Sequence, residues 1–188
     1  MESKLKTDNK KRESSLSKAQ RTALLGVMTA LAMVFGYIEH LIPFAVGIYG
    51  IKLGIANLAV LLMLFTVGAP WAFAVNMLRI LLCGILFGNT VSLIYSLAGG
   101  ILSFLVMLTA KRLRFGSMGI SITGGVAHNI GQLAAAALML DNLKIMFYLP
   151  VLLISGAVAG ALIGLAADIA VKKLPPKILS KKTKQKRL

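Results

Sequence analysis

IMFYLPVLLISGAVAGALIGLAADIAV, residues 145–171, carries a single charged side chain, Asp168, in its whole length. Coiled as an α-helix at 1.5 Å per residue, this run reaches about 40 Å, more than the roughly 30 Å of a bilayer's hydrocarbon. A continuous apolar surface of that length reads as a membrane span. Working back toward the N-terminus, further apolar runs fall at 118–140, 90–110, 70–88, 51–68 and 22–43. The sequence thus predicts an all-α integral membrane protein, six transmembrane helices in one bundle over 22–171. Basic tails flank it at 1–21 and 172–188. The runs at 51–68 and 70–88 are short and meet at Gly68-Ala69-Pro70, where Pro70 suits the first turn of a new helix. Gly99-Gly100 marks a place where the fourth span tilts or breaks.

Composition agrees. The chain is 57% apolar before glycine is counted, against roughly 45–50% with glycine in a soluble domain. It carries +15, yet only 14% of its residues are charged, so the charge is concentrated. A signal peptide would also begin with positive charge, but the run from Thr22 to Ile38 outlasts the 7–15 residues of a signal's apolar region. Residues 1–21 hold seven basic side chains, Lys111 to Arg114 three, and residues 172–188 eight, which is 18 of the 21 in the chain. With six spans all of these fall on one side, and basic segments stay in the cytoplasm. The expectation is a multi-pass protein of the cell membrane with both termini cytoplasmic, its tails meeting anionic lipid or a cytoplasmic partner rather than nucleic acid.

In hydrocarbon the informative residues are the polar ones, because an ionisable group at a helix centre costs on the order of 2.5–3.5 kcal/mol. Arg79 stands mid-way along the third run, with Asn76 one turn before it. His128, Asn129 and Gln132 are central in the fifth. Asn57 lies inside the second and Lys52 at its end; Glu39 closes the first, and Ser96 descends into the fourth. On the six-span topology these residues lie between the midplane and the outer face. That distribution points to an outward-facing polar pocket, lined by Glu39, Lys52, Asn57, Arg79, Ser96, His128, Asn129 and Gln132, for a small solute. Arg79 and Lys52 suit a carboxylate, a phosphate or another electron-rich group. The alternative for the amides and the histidine is hydrogen bonding between helices that holds the bundle together, and for Asp168 a structural ion pair.

Small residues speak to packing. Gly156, Gly160 and Gly164 recur every fourth residue in the sixth helix, and Ala19, Ala23, Gly26 and Ala30 form a similar stripe in the first. Such stripes let a neighbouring helix approach closely, either within the bundle or from a separate subunit.

Absences exclude several chemistries. The chain has no G-x-x-x-x-G-K-[ST] loop, no H-E-x-x-H and no G-x-S-x-G. Its six acidic residues make no paired site for Mg²⁺-diphosphate. Cys83 is the single cysteine, which excludes an internal disulfide and a multi-cysteine metal site. Neither catalytic residues, nor a bound metal, nor a cofactor is expected; if transport is ATP-driven, the motor is another protein.

The strings Gly50-Ile51-Lys52-Leu53-Gly54-Ile55-Ala56-Asn57, Tyr95-Ser96-Leu97-Ala98-Gly99-Gly100 and Gly125-Val126-Ala127-His128-Asn129-Ile130-Gly131-Gln132, with Arg79, resemble the heptaprenyl diphosphate synthase component I family, also called Gx transporter. The resemblance covers about residues 22–170. It implies two roles: a membrane subunit supporting a prenyl diphosphate synthase in quinone side-chain synthesis, or a six-helix relative of the substrate-binding (S) components of energy-coupling-factor transporters. The latter capture small molecules from outside and engage an ATPase and its scaffold through small-residue stripes on the first helix. The nearest match here is Ala19, Ala23, Gly26 and Ala30, without a clean pair of the alanine motifs. The resemblance also implies a link to quinone- and flavin-based electron transfer, and so a third reading, a membrane assembly factor for an extracytoplasmic electron-transfer protein.

Overall fold

A computed structural model describes residues 17–41, 55–87 and 90–174, apart from the side chains of Glu39 and His40. These residues are all-helical: α1 (Lys18–Leu41), α2 (Asn57–Thr66), α3 (Ala69–Leu86), α4 (Thr90–Arg112), α5 (Ser117–Met139), a 3-10 helix (Leu143–Tyr148) and α6 (Leu149–Lys173). Four segments are long and apolar enough to cross a membrane: α1, α3, α4, and the 3-10 helix with α6. The chain is a multi-pass membrane protein.

Of the six spans expected, two, the described helices α2 and α5, are not among these four. Helix α2 has ten residues, about 15 Å, half the hydrocarbon thickness. Seven of the ten are buried, so it is the bundle's axle rather than one of its walls. Helix α5 has the length, 23 residues, but His128, Asn129 and Gln132 lower its hydropathy. It compensates by position: it packs along both α4 and α6, and all three polar side chains are buried. A polar helix is tolerated at membrane depth when its polar face meets protein and not lipid.

Other boundaries have local causes. Helix α1 starts at Lys18, four residues before the expected span, because Ser17 and Gln20 form a capping box: Gln20 N donates to Ser17 Oγ (3.2 Å) and Ser17 N to Gln20 Oε1 (2.9 Å). Between α2 and α3 the chain reverses at Gly68, whose φ of +125° with ψ near 180° is a conformation only glycine adopts easily, and Pro70 follows in the first turn of α3. Helix α6 starts at Leu149 rather than 145, with Pro150 in its first turn.

Helix ends fix the relative depths. Lys111, in the last turn of α4, donates its ammonium to Leu64 O near the C-terminus of α2 and lies 5.1 Å from the Phe65 ring centroid. A cation there complements the dipole of α2. Ser117 Oγ at the start of α5 donates to Asp168 Oδ1 (3.1 Å), and Asp168 pairs with Lys172 (2.7 Å), the structural role expected of it. The ends of α2, α4 and α6 and the starts of α3 and α5 are therefore level, at the basic face.

Glycines set the spacing of α5 and α6. A Cβ on Gly160 would stand 2.7 Å from Ile122 Cα and Ser121 O; on Gly164, 2.6 Å from Met118 Cα; on Gly125, 2.5 Å from Gly156 O. The Gly156, Gly160, Gly164 stripe is thus consumed inside the bundle, and the opposite face of α6 turns Ile154, Val158, Leu162, Leu165 and Ile169 outward. The α1 stripe does the opposite: Ala19, Ala23, Gly26 and Ala30 are all exposed, and a Cβ on Gly26 would meet nothing within 4 Å.

Candidate functional site

From the level of the basic face, a residue seven to twelve positions along a helix stands about 10–18 Å deep in the bundle. That depth holds Asn57 on α2, Asn76 and Arg79 on α3, Gly100 on α4, His128 and Asn129 on α5, and, counted from Asp168 where α6 meets the start of α5, Gly156 on α6. Five helices thus contribute to one polar layer.

Arg79 is its electrostatic centre. Its Nη2 donates to Asn57 Oδ1 (2.7 Å) and to Asn76 Oδ1 (3.0 Å), and its Nε to Asn76 Oδ1 (3.2 Å). Asn76, buried, uses its other end: Nδ2 donates to Gly100 O (3.0 Å). The two amides hold the guanidinium at mid-depth, one from its own helix and one from the N-terminus of α2. The cap position of α2, Ala56, offers no side-chain acceptor to the first-turn amides, so the positive end of that helix dipole faces the same layer.

Gly99 and Gly100 carry the layer across α4. A Cβ at Gly99 would stand 2.6 Å from Gln132 Cγ and 3.2 Å from His128 Cε1, so both side chains occupy the space the glycine leaves open. On the far side of α5, Asn129 Nδ2 donates to Leu152 O (2.7 Å) and lies 3.5 Å from Ser155 Oγ, tying α5 to α6.

Between α2, α4, α5 and α6 lies a cavity of about 20 Å³. Its polar lining is Asn57, Ser121, His128 and Asn129; Gly124, Gly125, Gly156 and Gly160 bring backbone to its wall, and Leu61, Met107 and Ile163 close it. That volume fits about one water. A drug-sized ligand takes 300 Å³ or more, so the cavity as it stands is too small for one.

A profile described as heptaprenyl diphosphate synthase component I matches residues 28–170. The chain belongs to that family. No curated protein and no solved structure matches it. The family match spans α2 to α5 entirely and nearly all of α6, and so contains every member of the polar layer.

Of the eight residues expected to line a pocket, the cavity wall contains Asn57, His128 and Asn129, and Arg79 stands directly behind Asn57. Gln132, buried, packs on Gly99 a turn above the cavity, and Ser96, half-buried on α4, lies one turn beyond Gly100. The side chain of Glu39, and Lys52 altogether, lie outside the described residues. The sequence reading left out Ser121 and gave Asn76 no place in the site. A signal existed for each: Asn76 is three residues before Arg79, and Ser121, Gly125, His128 and Gln132 follow the 4-3-4 spacing of one helix face. Among the described residues no three His, Cys, Asp or Glu side chains come together as a metal site, and Cys83 is half-buried on α3.

Proposed function

We propose that this chain is a non-catalytic membrane subunit that captures a small, electron-rich solute at its mid-membrane polar layer, in the manner of an S component. The observation that carries the reading is Arg79, held by two amides at the depth where charge is most costly, beside a cavity with a buried histidine and the N-terminus of a half-length helix. Half-helices whose positive ends face a midplane site are a recurrent way to receive anionic groups in transporters. In this reading α5 crosses the bilayer with the other helices, the basic face is cytoplasmic, the membrane is the cell membrane, and the layer is reached from outside. Because the cavity is this small, capture requires helices to part.

Transport also needs an energy source, and this chain contains no phosphate loop. The outward small-residue stripe on α1 supports docking of a coupling module with an ATPase. Native mass spectrometry of the full chain, extracted gently from its own membrane, tests both points. A retained small molecule that is lost in Arg79→Ala and His128→Ala, with insertion intact, supports the reading. Equal retention in both variants overturns it.

The family's description favours a second reading, an accessory subunit of heptaprenyl diphosphate synthase. Its signature in the same experiment is a soluble synthase subunit with no ligand, lost when the basic tails are trimmed. The small volume of the cavity favours a third, an assembly factor whose outer surface binds an extracytoplasmic protein. That reading predicts a co-purifying redox protein and no small molecule.

A further inference from the structure

The 3-10 helix and the end of α5 leading to it, residues 138–148, form an apolar surface with no counterpart inside the bundle among the described residues. Leu138 is 83% exposed, Leu143 79% and Phe147 85%, and no residue of the 3-10 helix is buried. The segment is nevertheless built. Asp141 turns the chain with a φ of +45°, and Asn142 Oδ1 accepts Lys144 N (3.0 Å), which starts the 3-10 turn. The turn packs against the ends of both α5 and α6.

Helix α6 alone, 25 residues, is about 38 Å long and already exceeds the hydrocarbon thickness. Whatever precedes Leu149 therefore stands at or beyond the membrane boundary opposite the basic face, where Leu138, Leu143 and Phe147 would meet water if the segment stood upright. We propose that residues 138–148 lie in the plane of that boundary, with these side chains dipped into the lipid and Asp141, Asn142 and Lys144 among the headgroups.

Lipid is the occupant because the patch is continuous with the outward face of α6. It runs without interruption through Tyr148, Val151 and Ile154 into the outward stripe of α6, the face the bilayer covers. Tyr148 sits at the join, the usual depth of an interfacial aromatic, and Lys144 has the reach to return its ammonium to the headgroups. A segment held this way sits about 5–10 Å into the headgroup–acyl boundary. It would anchor the α5–α6 hairpin at the end away from the basic face. The inference does not depend on the ligand reading.

The test places a fluorophore on the patch in the full chain. Phe147→Trp in a Trp71→Phe background is reconstituted into phosphatidylcholine–phosphatidylglycerol vesicles containing lipids brominated near the headgroup or near the chain end. Interfacial residence predicts blue-shifted emission, strong quenching by the shallow bromines, weaker quenching by the deep ones, and protection from aqueous iodide. Iodide quenching without bromine quenching would put the segment in water. Protection from both would put it beneath a protein or a second copy; either result overturns the proposal. Should Trp71→Phe lower the folded yield, a spin label on Leu143→Cys with Cys83→Ala makes the same measurement. Collisions with oxygen exceeding those with a water-soluble nickel complex support lipid contact, and the reverse order, or neither, overturns it.

Discussion

Asn76→Ala isolates the bond pattern on which the polar layer depends. The substitution removes a neutral bond to Gly100 O and two contacts from the Arg79 guanidinium. A neutral hydrogen bond inside a membrane protein averages about 0.6 kcal/mol and reaches about 1.7. One to a charged group contributes about 1.5–3. Asn76→Ala should therefore destabilise the bundle by about 2–4 kcal/mol, read from equilibrium unfolding in mixed micelles as SDS is titrated, with Trp71, packed against the core, as reporter. The decisive comparison is the Arg79→Leu background. With the guanidinium gone only the Gly100 bond remains to be lost, so the cost should fall below about 1.7 kcal/mol, a coupling of about 1.5–3. Equal costs in the two backgrounds would refute the view that Asn76 holds Arg79, and a cost under about 0.5 kcal/mol in the native background would place the whole layer among ordinary surface contacts.

Gly160→Ile should disrupt the α5–α6 seam by about 1–3 kcal/mol or more, because the obstructing atoms are backbone; thermal unfolding in detergent measures it. Gly26→Leu should leave that unfolding within about 0.5 kcal/mol, since its side chain enters open space, while removing any subunit that docks on α1. Lys111→Met should cost about 1–2 kcal/mol by withdrawing a cation from the end of α2 and the face of Phe65, seen as a lower melting temperature. Asp168→Asn should cost no more than about 1 kcal/mol by the same assay, since its pair with Lys172 is largely solvent-exposed.

Much of this fold was legible in the sequence because hydrophobicity over twenty residues survives any detail of packing. The helices α3, α4 and α5 fall within two residues of the expected ends of their apolar runs, and the four-residue glycine repeat named the packed face of α6. What escaped was punctuation. Ser17 and Gln20 spell a capping box, but the basic residues around them look like tail. Pro150 marks the first turn of α6, but the apolar Ile145–Tyr148 before it looks like more of the same helix. The half-length of α2 left only a faint trace: Lys52, Gly54 and Asn57 interrupt the run before the unbroken apolar stretch 58–65, but Ala56 carries no capping side chain to announce a start. The site was legible as a set of polar residues and not as an arrangement. Asn57 and Arg79 are 22 positions apart on separate helices, and only the packed bundle shows that one holds the other.

Polar groups and glycines coincide in this bundle for one reason. A side-chain amide in hydrocarbon needs a partner on the next helix, and a backbone carbonyl is within reach only where that helix can come close. Gly100 provides this for Asn76, and close approach at Gly156 brings Leu152 O to Asn129. The same coincidence predicts where the cavity would widen. Parting α5 from α6 would break a seam of backbone contacts four glycines long. Helix α2 is joined at Asn57 by a bond that an incoming anion can replace, because the anion and the amide compete for the same guanidinium. Asn57→Ala should therefore loosen the N-terminal end of α2 and admit solvent to Ser121, while Lys111 keeps the other end in place. A thiol at Ser121→Cys, with Cys83→Ala, should react with a small maleimide faster in the Asn57→Ala protein than in its parent. No change in rate would mean that the cavity is not gated at α2, and that a ligand, if one enters, does so by another seam.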